Sequence, residues 1–130
     1  MSSEYKSPLK INPLESSNPI LIREEKWLEL RKKMRDQFGK PPDVNAMLFL
    51  IGIHELGKLK KKYTKEEKQD LMHIATCSVL SRSGYYELKG LDQEGWPHWV
   101  ARKKLPVMNL TEQEDFLKDH IIRYFEEMEY

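Results

Sequence analysis

The sequence predicts an all-α fold, a small helical bundle of about four helices around a central buried helix, and three observations lead there. The first is a sustained apolar run from Ala46 to Ile53, interrupted only by Gly52. The second is the helical spacing of apolar residues on either side of that run. The third is a capping-box pattern that occurs twice, Thr64 with Glu67 and Thr111 with Glu114. The exception is an irregular aromatic stretch over residues 85–109, of which a short hairpin is one reading.

Taken in order, residues 1–20 carry five Ser and three Pro with little apolar periodicity. Each proline removes a backbone donor, so the stretch reads as a flexible N-terminal tail, with Leu9, Ile11, Leu14 and Ile20 able to lie along the domain as an extended arm. From about Ile22 to Phe38, Trp27, Leu30, Met34 and Phe38 fall at helical spacing, with Gly39 as the stop and Pro41 behind it. Pro41 and Pro42 suit the start of the next helix, with Asp43 placed to cap it. Because that helix is apolar all round, it calls for neighbours on several sides. A strand over Met47 to Ile53 is the weaker alternative, since Met, Leu and Ala favour helix over sheet. The central helix is expected to run to Lys62, placing Lys58, Lys60, Lys61 and Lys62 in its last turns, where the dipole favours cations.

Thr64 and Glu67 start a third helix near Lys65 that runs to about Arg82, with Leu71, Ile74, Ala75 and Ser78 as its inner stripe. The short connection makes the second and third helices an antiparallel pair. In the irregular stretch, a hairpin would set Tyr86 and Leu88 against Trp99 and Ala101, joined through Asp92 to Gly95. The last helix is expected over about 112–128, with Phe116, Leu117, Ile121, Tyr124, Phe125 and Met128 facing inward.

A chain of 130 residues suffices for one domain with a real core, so residues 21–130 are expected to form a single helical domain. One cysteine, Cys77, excludes an intramolecular disulfide and a Cys-rich zinc site. The first twenty residues lack the apolar core of a secretory signal and no stretch reads as transmembrane, so a soluble, cytoplasmic protein is expected, with no membrane partner. A net charge of +1 supplies no global attraction to nucleic acid. The distribution is uneven: residues 31–68 hold eleven Lys or Arg against five Asp or Glu, a balance of +6, whereas residues 111–130 hold two against seven, a balance of −5. Two solvated helix faces account for this; pairing of the segments between copies would give self-association.

Several side chains are candidates for chemistry or binding. His54 and His73 lie nine residues before and ten residues after Tyr63, hence at one level of the antiparallel pair, and Asp70 precedes His73 by three. With His120 from the last helix they form a candidate site for a divalent transition metal such as zinc, iron or manganese. The spacing matches no metal motif, and packed or surface histidines are the plainer alternative. Glu55 shares a face with Leu48 and Ile51 and needs a partner if buried, Arg82 or a lysine. Cys77 follows His73 by four, the minimum for an activated thiolate, although a buried core cysteine is the commoner outcome. Trp96, His98 and Trp99, followed by Arg102, Lys103 and Lys104, form a candidate partner-binding stretch, aromatic area beside positive charge. Trp rings roofing the core would account for the same pattern.

No complete catalytic set is present, so the leading expectation is a non-catalytic interaction module with an unidentified protein partner or a second copy of itself, and no cofactor. The second is a metal-binding protein or metal-dependent enzyme built on His54, Asp70, His73 and His120. The third is nucleic-acid binding through Arg31 to Arg35, Lys58 to Lys62 and Arg102 to Lys104.

Overall fold

The computed structural model describes residues 18–130, so Leu9, Ile11 and Leu14 of the expected arm and most of the expected tail lie outside the described residues, while Ile20, expected in that extended arm, is helical. The protein is mostly helical with a small two-stranded sheet. Its elements are α1 (Pro19–Phe38), α2 (Val44–Leu56), α3 (Lys65–Ser81), β1 (Tyr86–Leu91), β2 (Pro97–Ala101) and α4 (Leu110–Glu127). The described residues divide into two compact units, one ending at Pro41 and the other Pro42–Tyr130.

In the first unit, α1 begins at Pro19, about three residues ahead of expectation, because Asn18 is its cap. The Asn18 side chain accepts from Ile20 N at 2.9 Å and Leu21 N at 3.4 Å, and Pro19 occupies the first helical position, where a missing N–H costs nothing. Trp27, Leu30 and Met34 are buried at the predicted spacing, whereas Phe38 is exposed in the last helical position. Gly39, at φ 96°, ends the helix in the left-handed region.

In the second unit, Asp43 Oδ1 accepts from Ala46 N at 2.8 Å and starts α2 where the sequence indicated. No residue from Ala46 to Ile53 is exposed, as an all-apolar helix requires. The helix stops six residues short of Lys62. Gly57 takes φ +75° and returns its N–H to the Ile53 carbonyl at 2.9 Å, a left-handed cap that outweighs any dipole preference of the lysines behind it. Lys58, Lys60, Lys61 and Lys62 therefore lie in the connection to α3. Phe49 and Tyr63 meet edge-on with centroids 5.2 Å apart, tying this connection to α2.

Within the second unit the central position belongs to α3 rather than α2, for α3 packs against α2, α4, β1 and β2. Both halves of its Thr64–Glu67 capping box are formed, and it buries Leu71, Ile74, Ala75, Cys77, Ser78, Val79 and Leu80. The α2–α3 approach is set by Gly52, where a Cβ would stand 2.2 Å from the Leu71 carbonyl oxygen. Only a glycine lets the two backbones come so near.

The hairpin is antiparallel, pairing Tyr86 with Ala101 and Leu88 with Trp99, and a bulge between Leu88 and Gly90 shifts the register. Its turn is organised by Asp92, whose Oδ1 accepts from Glu94 N and Trp96 N, each at 2.9 Å. Those backbone donors, that of Trp96 foremost, hold the Asp92 carboxyl below the usual carboxylate range. The last helix starts two residues before the expected Thr111 cap: Asn109 and Glu112 form the capping box instead. Both pairs have the required spacing, and Asn is the stronger cap. Among the described residues no helix is long and apolar enough to cross a membrane.

Candidate functional site

The densest polar constellation of the second unit joins α2, α3 and α4 through Glu55, Ser78 and Tyr124. Tyr124 lies on the buried stripe of α4, only 1% exposed, and its hydroxyl donates to Glu55 Oε2 at 2.6 Å. With that proton committed, the Tyr124 oxygen accepts from His54 Nδ1 at 2.7 Å, which fixes the proton on that ring nitrogen. The second carboxylate oxygen, Oε1, accepts from Ser78 Oγ at 3.2 Å. Arg82 then donates through Nη1 to Ser78 Oγ at 2.8 Å and to the Ser78 carbonyl at 2.6 Å, while its guanidinium lies 5.0 Å from the Tyr124 ring centroid. Its Nε reaches Glu127 at 3.1 Å.

Glu55 thus has the partner that its position demanded, but the direct donors are Tyr124 and Ser78, with Arg82 one hydrogen bond further away. Burial, and next the bond to Glu55, push the Tyr124 hydroxyl well above the ordinary phenol range. A phenol so held stays protonated and acts as a donor, not as a nucleophile.

A second pair links the end of α3 to α4. His120 Nδ1 donates to the Phe116 carbonyl at 2.8 Å, leaving Nε2 to accept from Ser83 Oγ at 2.8 Å. This is the hydrogen bond of a Ser–His pair, with the imidazole oriented by a carbonyl of its own helix instead of a carboxylate. Arg123 approaches the same hydroxyl at 3.5 Å and donates to the Arg82 carbonyl at 3.1 Å, so the group fastens the α3–β1 turn to α4.

His73 is exposed and meets Cys77 Sγ through Nε2 at 3.6 Å within α3. Cys77 is fully buried, and burial pushes its thiol up to about 11, the opposite of what an activated thiolate requires. Asp70 lines an open cleft with Lys58, Glu67, Asp92, Glu94 and Trp96, across which Lys58 Nζ donates to the Glu94 carbonyl at 2.8 Å. The four residues considered for metal are therefore distributed over different surroundings: His54 at Tyr124, Asp70 in the cleft, His73 at Cys77 and His120 at Ser83. Among the described residues no three His, Cys, Asp or Glu gather in a way that could hold a metal ion.

The partner-binding candidates share the hairpin and the chain leaving it. Trp96 and Trp99 are half-buried, and Trp99 Nε1 is enclosed with no hydrogen-bond partner among the described residues. His98 is exposed, 3.7 Å from Asp92 Oδ2. Arg102 grips Glu87 Oε1 through Nε and Nη2, both at 2.5 Å, and Lys103 Nζ lies 4.4 Å from the Tyr85 ring centroid. Lys104 is exposed. Of the other basic stretches, Arg35 pairs with Asp36 at 3.5 Å and Lys60 pairs with Glu67.

Sequence reasoning missed Ser78 as a ligand of Glu55, Tyr124 as more than a packing residue, and Ser83 altogether. A Tyr on a buried stripe is itself a signal, because its hydroxyl must find a partner there. No family model, curated protein or solved structure matches this chain.

Proposed function

We propose that the protein is a non-catalytic interaction module whose contact surface is the hairpin and the connection following it, residues 86–110. The observation that carries this reading is a concentration of exposed apolar side chains along one stretch of chain. Leu91 is 66% and Leu110 82% exposed, Val107 is fully exposed, and Leu88, Val100 and Leu105 are exposed as well. Single exposed apolar residues are ordinary, but six in twenty-five residues beside two half-buried indoles suit contact with another macromolecule. A two-stranded hairpin is also marginal by itself in water and gains from a partner on its open face. The polar groups nearest to catalytic geometry, around Glu55 and His120, are meanwhile engaged in joining helices.

Photo-crosslinking in the expressing cells tests the proposal. A photoreactive residue at Leu91 or Leu105 is expected to give adducts of discrete mass, and the same residue at exposed Glu66 on α3 is expected to give none. Absence of adducts at both hairpin-side positions would contradict the reading.

A further inference from the structure

Beside Leu110, between the N-terminal ends of α2 and α4, lies a groove of about 220 Å³ with Val44, Leu110 and Leu117 as its apolar lining and Asp43 and Glu114 among its polar residues. Leu110 lines it while remaining mostly exposed, so the groove has an apolar wall open to solvent. A few residues earlier in the chain runs the connection Lys103-Lys104-Leu105-Pro106-Val107, in which Val107 is fully exposed and Leu105 partly so. The connection carries cations where the groove carries carboxylates. Lys104 and Glu114 have no ion-pair partner among the described residues.

We propose that the Lys103–Val107 connection of one copy docks into the acid-rimmed groove between α2 and α4 of a second copy, reciprocally, closing a two-fold dimer. The inference rests on the interaction-module reading and names its partner. Its basis is complementarity within a single chain: an exposed basic and apolar connection ends three residues before Leu110, which lines an apolar groove bearing carboxylates. Engaged head to tail, the two would build a ring or an open filament, whereas their closeness along the chain suits a single two-fold axis that satisfies both contacts at once. Lys104 then faces Glu114 and Asp43 of the other copy, and Val107 is removed from water on Val44, Leu110 and Leu117 of the other copy.

The test is sedimentation of the full chain across protein and salt concentration. The wild type is expected to show a monomer–dimer equilibrium that weakens as salt rises, because exposed pairs are screened over about 10 Å in 0.1 M salt. Val107→Asp is expected to weaken the dimer at least about tenfold, since each dimer loses two apolar contacts. Its monomer should melt at the wild-type temperature, because Val107 is fully exposed, which keeps the variant a test of docking and not of folding. Lys104→Glu should weaken the dimer, and adding Glu114→Lys to it should restore it. A dimer indifferent to Val107→Asp would overturn the proposed surface. A wild type monomeric at every concentration and salt would overturn the dimer, and cross-link adducts of a mass other than twice the chain would then leave the interaction reading standing with a different partner.

Discussion

The hydroxyl of Tyr124 on α4 donates to Glu55 Oε2 on α2 at 2.6 Å, joining residues 69 positions apart. The bond supplies a buried phenol with its acceptor and a half-buried carboxylate with its strongest donor. Tyr124→Phe is expected to destabilise by about 1 to 3 kcal/mol, because it leaves Glu55 one donor short and His54 Nδ1 without its acceptor. Combined with Glu55→Gln, the loss should fall short of the sum of the single changes by about 0.5 kcal/mol or more, measured by chemical denaturation in a double-mutant cycle. Strict additivity would show that the contact carries no energy of its own.

Gly52→Ala tests the α2–α3 approach. The added methyl meets backbone, the Leu71 carbonyl oxygen at 2.2 Å, which cannot rotate away as a side chain can. The helices must separate, at a cost of about 1 to 3 kcal/mol or more, despite the better helix propensity of alanine. A variant as stable as the wild type would contradict a close approach of the two backbones at Gly52.

Cys77 gives a pH prediction. Its folded pKa is raised from 9.0 to about 11 by burial, so the unfolded thiol ionises first as pH rises. The contribution is fully present below about pH 9 and is lost progressively as pH climbs through about 11, a window in which wild-type stability should fall more steeply than that of Cys77→Ala. A thiol reagent at pH 8 should react slowly with the native protein and fast after denaturation. Rapid native labelling would restore the activated-thiolate reading.

What was legible in the sequence was mainly local. Asp43, the Thr64–Glu67 box and Gly39 act within a few residues of themselves, and each starts or stops its helix as read. Where two local signals competed, the structure chose the stronger: Asn109 over Thr111 as a cap, and the left-handed turn at Gly57 over the dipole preference of Lys58 to Lys62. The α1 start was equally local, in Asn18-Pro19, yet its polar, proline-bearing surroundings gave it the appearance of tail. Beyond the hairpin pairing of Tyr86 with Ala101 and Leu88 with Trp99, contacts between distant residues were not legible. His54 and His73 were placed at one level of a helical pair, but spacing gives height without direction, and one turns to Tyr124 while the other turns to Cys77. That Glu55 requires a partner followed from its apolar face; that the partner is Tyr124, 69 residues on, followed from nothing local.

His54, Glu55 and Tyr124 form a hydrogen-bonded joint between α2 and α4, distinct from the proposed contact surface of residues 86–110. The most direct test of this joint is the metal content of the purified chain after equilibration with zinc, read by native mass spectrometry beside His54→Ala and His73→Ala. No saturable one-per-chain occupancy is expected, and for His54→Ala a fall in thermal midpoint that is the same with and without zinc. One zinc per chain, lost in both variants and accompanied by a metal-dependent fall in midpoint, would contradict it and turn the joint into a metal centre.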